Sequence, residues 1–144
     1  MEKNRITHSL SVANKMREIA LEIDPENTEY SQDMFILGVV HDIGYKFSDD
    51  KLKHAEVGGL ILKNNNYKYW KEVYYHGKSD QKYNSQELRI LNTADLSVDH
   101  TGKYVSVIER LNDIKNRHGE FSFQYLNSCK LAEELNLVNP INKK

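Results

Sequence analysis

The stretch Val39–Tyr45, with the sequence VVHDIGY, decides the fold, because there an apolar run ends in two adjacent side chains that can bind a metal ion. Asp42 would lie in the last turn of a helix, where unpaired carbonyl groups repel a carboxylate by about 0.3–1 kcal/mol. Lys46 or a bound cation would relieve this repulsion. Gly44 lets the chain leave the helix. Taken alone, the pair is equally compatible with a buried histidine and a solvated aspartate beside a turn.

Composition limits the class of protein and its partners. The chain has 144 residues and a formal net charge of −1, with 28% charged residues of both signs. This pattern lacks a basic patch, so we expect neither a nucleic-acid partner nor contact with a membrane. No apolar run approaches the ~20 residues that span a bilayer, and the N-terminus lacks the apolar core of a signal peptide. The single cysteine, Cys129, allows no internal disulfide and fits a reducing, cytoplasmic compartment.

Hydrophobic periodicity predicts an all-α protein, a compact single-domain bundle of about six to seven helices. The chain has two prolines and seven glycines, which are few turn-forming residues for a fold of many strands. The predicted helices cover residues 5–23, 31–42, 54–62, 68–75, 85–98, 104–118 and 122–135. Beyond them, we expect a polar tail over 136–144 that frays.

Local signals give further detail on these helices. The first helix carries an apolar stripe formed by Ile6, Leu10, Ala13, Met16, Ala20 and Ile23. Ser31 and Ser122 are expected to cap the second and last helices, because a serine hydroxyl accepts a hydrogen bond from a free N–H group of the first turn. The Gly58–Gly59 pair lowers helix propensity by ~1 kcal/mol per glycine, so we expect it to permit close packing against a neighbouring backbone.

Six ionisable side chains fall at helix ends or on apolar helix faces, in five successive predicted helices. They are His8, His41, Asp42, His54, His76 and Asp95. Each histidine has an ordinary explanation by itself, as a hydrogen-bonded core residue or as a partner of the helix dipole. Asp95, buried without a cation, a salt bridge or donors, would cost several kcal/mol. Inward-facing side chains of this kind form metal centres in helical bundles.

The order of these residues resembles the HD-domain superfamily of metal-dependent phosphohydrolases over about Arg5–Asp99. The resemblance rests on Thr7-His8-Ser9-Leu10, Val40-His41-Asp42-Ile43-Gly44, His54-Ala55, His76-Gly77 and Ala94-Asp95. It implies a first metal ion held by His8, His41, Asp42 and Asp95, and a second held by His54 and His76, with Asp42 bridging. We therefore expect one HD-type domain over 1–144, with a metal-site core over 5–99 and C-terminal helices over 103–135.

The resemblance implies hydrolysis of a phosphoester or phosphoanhydride in a nucleotide or another small phosphorylated metabolite. Imidazoles together with carboxylates suit one or two divalent ions of Fe, Mn, Co, Ni or Zn, and suit Mg less well. A two-metal centre, with ions ~3.5–4 Å apart, lowers the pKa of a bridging water and makes hydroxide the nucleophile.

Three residues are expected to take part in catalysis: Asp42, Arg5 and Lys46. In the resemblance an arginine at the position of Arg5 faces the substrate, and its planar fork suits phosphate oxygens. Many family members have a lysine immediately after the His-Asp-x-Gly segment, whereas this chain has Tyr45 there and Lys46 one residue later. An ordinary solvated surface charge is an equally good interpretation of Arg5 and Lys46.

Other interpretations of the same residues remain open. Some superfamily members use a di-iron centre for oxygen chemistry, and a chain of this length also suits a metal-stabilised binding or regulatory module without catalysis. Asp99 either orients a metal ligand or faces solvent. His100 and His118 lie outside the metal pattern, and we expect them to be surface or capping residues.

Overall fold

A computed structural model describes residues 2–139 and confirms the all-α fold. Within these residues the helices are α1 (Lys3–Ile23), α2 (Thr28–Val40), α3 (His54–Asn64), α4 (Trp70–Tyr75), α5 (Gln86–Asp95), α6 (Val107–His118) and α7 (Phe123–Glu134). Two short 3-10 turns, Ile43–Lys46 and Lys51–Lys53, connect α2 to α3. None of the described helices has the length and apolar character needed to cross a membrane.

The main hydrophobic core lies between α1, α2, α4 and α5. It consists of Val12, Met16, Ala20, Met34, Leu37, Val73, Ile90, Leu91, Ala94 and Val98. Each fully buried side chain of Val or Leu size contributes about 1.5–3 kcal/mol relative to exposure. The core therefore fixes the mutual positions of the helices whose ends carry the predicted metal ligands.

The buried face of α1 differs from the predicted stripe. Ile6, Leu10 and Ile23 are 46%, 45% and 49% exposed. The residues that α1 buries are instead His8, Ser9, Val12, Ala13, Met16 and Ala20. His8, Val12, Met16 and Ala20 form one row at four-residue spacing, which is a single ridge on a helix surface. The apolar pattern predicted the wrong edge of this face, because the second turn of α1 buries the polar residues His8 and Ser9.

Helix boundaries follow the capping side chains, and several predictions about them were wrong: α5, for example, ends at Asp95 rather than at residue 98. Asn27, not Ser31, caps α2, because its side-chain oxygen accepts a hydrogen bond from the Tyr30 N–H at 3.0 Å. The sixth helix begins at Val107 rather than at residue 104, because Ser106 and Glu109 form a reciprocal capping box. The predicted Ser122 cap of α7 is confirmed.

The last two helices pack around a smaller second cluster. It contains Leu96, Leu111, Leu131 and Ala132. Leu137 and Val138 pack against this cluster, so the prediction of a fraying polar tail was wrong for the segment that directly follows α7. Residues 140–144 of the predicted tail lie outside the described residues.

Gly44 is required for a close approach between segments rather than for an unusual backbone conformation. A Cβ at Gly44 would overlap the carbonyl oxygen of His54 and lie 2.8 Å from the backbone N of Gly58. Gly44 lies in the 3-10 turn after α2, and its φ angle is not positive. The predicted close packing of the Gly58–Gly59 pair is confirmed, since a Cβ at Gly59 would lie 2.5 Å from Cβ of Tyr74. These approaches place the first residue of α3 beside the end of α2.

We predict that Gly44→Ala lowers the free energy of unfolding by about 3 kcal/mol, because the clash is with backbone atoms that cannot rotate away. Gly58→Ala is the matched control. Its Cβ would lie 3.0 Å from the Gly44 N, and alanine regains about 1 kcal/mol of helix propensity. Urea denaturation measures both variants. An equal or smaller loss in Gly44→Ala than in Gly58→Ala would contradict this account of the packing.

Candidate metal centre

The structure brings the six predicted metal ligands together at one group of helix ends. His8 lies on α1, and the His41–Asp42 pair follows α2 directly. His54 opens α3, His76 follows α4, and Asp95 is the last residue of α5. His41 is fully buried and His8, His76 and Asp42 are almost fully buried, whereas the side chains of His54 and Asp95 are each 19% exposed. The group therefore opens to the outside at His54 and Asp95.

The Nε2 atoms of the four histidines converge on two carboxylates. Oδ1 of Asp42 lies 3.3 Å from Nε2 of both His54 and His76. Its other oxygen, Oδ2, lies 3.3 Å from Nε2 of His41 and 3.8 Å from that of His8. Oδ1 of Asp95 lies 2.8 Å from Nε2 of His8 and 3.7 Å from that of His41. The Asp42 carboxylate thus lies between two pairs of imidazoles.

The opposite ring nitrogen of every one of these histidines contacts a backbone carbonyl oxygen. The Nδ1–O distances are 2.8 Å for His8 and Asp99, 2.7 Å for His41 and Gly38, 2.8 Å for His54 and Lys51, and 2.6 Å for His76 and Val73. A carbonyl oxygen only accepts, so each Nδ1 carries the proton and donates. In the neutral ring, Nε2 then presents a lone pair, which is the state of a metal-binding histidine.

The lone pair of an unprotonated Nε2 repels the lone pairs of a carboxylate oxygen when the two atoms lie this close. A cation between them removes the repulsion, either as a proton on Nε2 or as a metal ion. His41 shows the need most clearly, because its Nε2 is buried and makes no hydrogen bond among the described residues. Two sets of three residues have ligand atoms within 4.8 Å of one another: His8, His41 and Asp95, and His41, Asp42 and His76.

The electrostatics of the group favour positive charge at its centre. Burial opposes a charged His41, but the carboxylates of Asp42 and Asp95 outweigh burial and raise its pKa well above 6.5. Burial likewise opposes ionised Asp42 and Asp95, yet the neighbouring histidines hold the pKa of both well below the ordinary value. Burial lowers the pKa of His76. The group is therefore an anionic centre lined by imidazole nitrogens that can bind a cation.

Asp99 orients a predicted ligand, but through its backbone. Its carbonyl oxygen accepts the Nδ1–H of His8, whereas its carboxylate accepts hydrogen bonds from Thr101 and from the Lys103 N–H in the following turn. The first alternative, that Asp99 orients a metal ligand, is thus borne out, but by its backbone carbonyl and not by its carboxylate. The carboxylate does not continue the face of Asp95, because α5 ends at Asp95.

The loop that follows His76 is fixed on both sides. The Gly77 N–H donates to Oδ1 of Asn92 at 2.8 Å, and its carbonyl accepts from Nδ2 of Asn127 at 2.6 Å. Gly77 has a φ of +78°, a left-handed conformation that favours glycine. Asn127 comes from α7, so a helix remote in sequence helps to position His76.

Tyr45 lies between a predicted metal ligand and a predicted substrate contact. Its ring stacks on the imidazole of His54, with centroids 3.9 Å apart and planes at 13°. Cζ of Arg5 lies 3.4 Å from the Tyr45 centroid, and at these distances the two groups must occupy opposite faces of the ring. Arg5 also approaches Oδ2 of Asp42, at 3.9 Å. Burial and the charge of Asp42 raise the pKa of Tyr45 to about 12, so it remains a neutral phenol.

Lys46 is not brought to the group. It is exposed at the end of a 3-10 turn, and its Nζ lies 5.7 Å from the centroid of the Phe47 ring. The predicted pairing of Lys46 with Asp42 was therefore wrong: within residues 2–139 the positive partners of Asp42 are the histidines and Arg5.

A cavity of about 600 Å³ opens beside Asp42, His54 and Asp95. Its basic lining residues are Arg5, Lys51, Lys78, Arg110 and Arg117, together with His100 and His118. Most of these were missed from the sequence because they come from separate loops and from α6, with no shared motif. His118 is exposed and the His100 side chain is 39% exposed, as expected for surface residues, and both line this cavity.

Comparison with known proteins bears on this geometry. A family model described as HD domain matches residues 5–97. The matched range contains all six clustered ligands and ends before α6 and α7. No curated protein and no solved structure matched the chain.

We predict that His41 in metal-free protein titrates above its ordinary pKa of 6.5 and His76 below it. Asp95→Asn should lower the pKa of His41, because it removes one of the two carboxylates that stabilise the imidazolium. NMR titration of the imidazole resonances in chelator-treated protein measures both values. Asp80→Asn, at an aspartate whose side chain is 62% exposed, is the control. The same His41 pKa in the two variants would contradict the account.

Proposed function

The chain belongs to the HD-domain family, and on that premise we propose that it is a metal-dependent phosphohydrolase. It would cleave a phosphoester or phosphoanhydride of a nucleotide or another small phosphorylated metabolite. The observation that carries the proposal is the convergence of four Nε2 atoms on two carboxylates, with every Nδ1–H donated to a backbone carbonyl.

The donor set fits a divalent transition metal. His8, His41, Asp42 and Asp95 would hold one ion, and His54 and His76 would hold a second through the other oxygen of Asp42. Imidazole nitrogens with carboxylate oxygens suit Fe, Mn, Co, Ni or Zn. When bound, the metal would activate a water molecule and neutralise charge on the phosphoryl oxygens.

The protein's own contribution would be to orient the ligands and the phosphoryl group. The four Nδ1 hydrogen bonds prevent the imidazoles from rotating, so Nε2 remains directed at the centre. Arg5 lines the cavity, and its contact with Oδ2 of Asp42 uses one of its five N–H groups. The guanidinium makes no hydrogen bond within residues 2–139, so its remaining donors would bind phosphate oxygens, and stacking on Tyr45 holds it in place.

The cavity supports a small anionic substrate. Its volume of about 600 Å³ lies in the range of sites for small molecules. Seven basic or imidazole side chains line it outside the metal group, which favours a ligand that carries several negative charges.

We predict that protein purified without chelators contains a divalent transition metal and hydrolyses a phosphorylated compound in a screen with Mn, Co, Fe and Mg. Asp42→Asn should lose metal and all turnover, because it removes the carboxylate shared by both sets of imidazoles. Elemental analysis and phosphate release measure the two effects, and Asp80→Asn serves as the control. Metal-loaded wild-type protein that turns over none of the compounds would overturn the proposal. Bound iron with oxygen consumption would instead favour oxygen chemistry.

We predict that Arg5→Lys raises KM about 10- to 100-fold, since it keeps the charge but loses the paired donors of the guanidinium, worth about 1.5–3 kcal/mol. Lys46→Ala should raise KM much less, because Lys46 is exposed and does not line the cavity. Steady-state kinetics on the best substrate of the screen compares the two. A larger effect from Lys46→Ala would contradict the positions assigned to both residues.

A further inference from the structure

His100 is a histidine of the cavity that the metal centre does not use. It lies on the segment between α5 and α6 and lines the same cavity as Asp42 and Arg5. The preceding residue, Asp99, holds His8 through its carbonyl group. The backbone beside His100 is therefore tied directly to a residue of the metal centre.

The imidazole of His100 is held by a carboxylate from α6. Its Nδ1 lies 2.8 Å from Oδ1 of Asp113, and its backbone N–H donates to Oδ2 of the same residue at 3.2 Å. Arg110 donates to Oδ2 as well, at 3.0 Å. The same guanidinium donates from Nε to the carbonyl of Asp95 and reaches the Asp95 carboxylate at 3.7 Å. Asp113 and Arg110 thus connect His100 to Asp95 through consecutive polar contacts.

The other ring nitrogen of His100 is free. Among residues 2–139, Nε2 makes no hydrogen bond and no ion pair, in contrast to the four histidines whose Nε2 faces a carboxylate. The side chain is 39% exposed, so solvent reaches it. An imidazole with Nδ1 fixed on a carboxylate and Nε2 directed elsewhere is arranged to exchange a proton at Nε2.

We propose that His100 is the general acid of the hydrolysis, with Asp113 as the residue that positions it; this inference rests on the proposed phosphohydrolase function. The attacking water loses one proton to solvent, and as its oxygen forms a bond to phosphorus, the bond between phosphorus and the leaving oxygen breaks. The electron pair of that bond goes to the leaving oxygen, which takes the proton from Nε2 of the His100 imidazolium, while Nδ1–H stays donated to Asp113. His100 then regains a proton from solvent through its exposed edge.

The decisive variant is His100→Asn. Asparagine places an amide nitrogen near the position of Nδ1, so the donor to Asp113 is retained while Nε2 is removed. His118→Asn is the matched control, because His118 lines the same cavity but makes no hydrogen bond or ion pair through its ring among the described residues. A purely structural role of His100 would leave the dependence on the leaving group unchanged.

The experiment compares kcat/KM for two esters of the same phosphoryl group, one with 4-nitrophenol and one with phenol as the leaving group. A good leaving group departs without a proton, whereas a poor one needs the acid. We expect His100→Asn to lower kcat/KM about 100-fold or more for the phenyl ester, and less than tenfold for the 4-nitrophenyl ester. Any loss in His118→Asn should be equal for the two esters. Equal losses in His100→Asn would overturn the assignment of His100 alone, whereas wild-type protein inactive on both esters and on every compound of the screen would overturn the proposed function itself.

A second measurement does not depend on turnover. Inorganic phosphate is titrated into Zn²⁺-loaded wild-type protein while the Cε1–H resonance of His100, assigned with the His100→Asn variant, is followed by NMR. Phosphate should shift this resonance, because His100 lines the same cavity as Asp42 and Arg5 and the proposal brings its Nε2 to the bound phosphoryl group. Saturable phosphate binding that leaves the His100 resonance unmoved would contradict the proposal.

Discussion

The whole site depends on one constraint: each of four imidazoles donates its Nδ1–H to a backbone carbonyl, so four Nε2 atoms face the carboxylates of Asp42 and Asp95. Neutral rings held in this way would set lone pairs against carboxylate oxygens, and only a cation relieves that repulsion. The backbone therefore sets the chemistry of the centre. Three of the carbonyls, those of Gly38, Lys51 and Val73, lie three residues before the histidine they bind. Each of these carbonyls also accepts the backbone N–H of the same histidine, at 3.5 Å for His41 and 3.3 Å for His76, so ring and backbone bind one carbonyl at a helix end.

The fold maintains this arrangement by bringing helix ends very close together. α2 approaches α1 so closely that a Cβ at Gly38 would clash with the backbone of Ala13, and α3 approaches the turn after α2 in the same way at Gly44. α6 and α7 lie outside the range of the family match. They nevertheless contribute Arg110, which contacts Asp95, and Asn127, which holds the loop after His76. The C-terminal helices thus complete both the support of the metal centre and the wall of the cavity.

Sequence analysis was most successful where the signal was local. The all-α class, most helix positions and the six clustered residues followed from periodicity and from the order of the histidines and aspartates. His41, His54 and His76 each bind a carbonyl of their own segment, so their orientation is set by nearby residues. His8 is different, because its partner is the carbonyl of Asp99, 91 residues away. The contacts of Tyr45 and of His100 were not predicted, for the same reason: they join segments that no spacing rule connects.

The most direct test of the account is the anomalous difference map of a crystal of metal-loaded protein, recorded at the absorption edge of the metal. The account predicts a peak between the Asp42 carboxylate and the Nε2 atoms of His8 and His41, about 2.0–2.2 Å from its nitrogen and oxygen ligands. A second ion would give a peak on the side of His54 and His76. A fully loaded crystal whose only peaks lie away from Asp42 would contradict it.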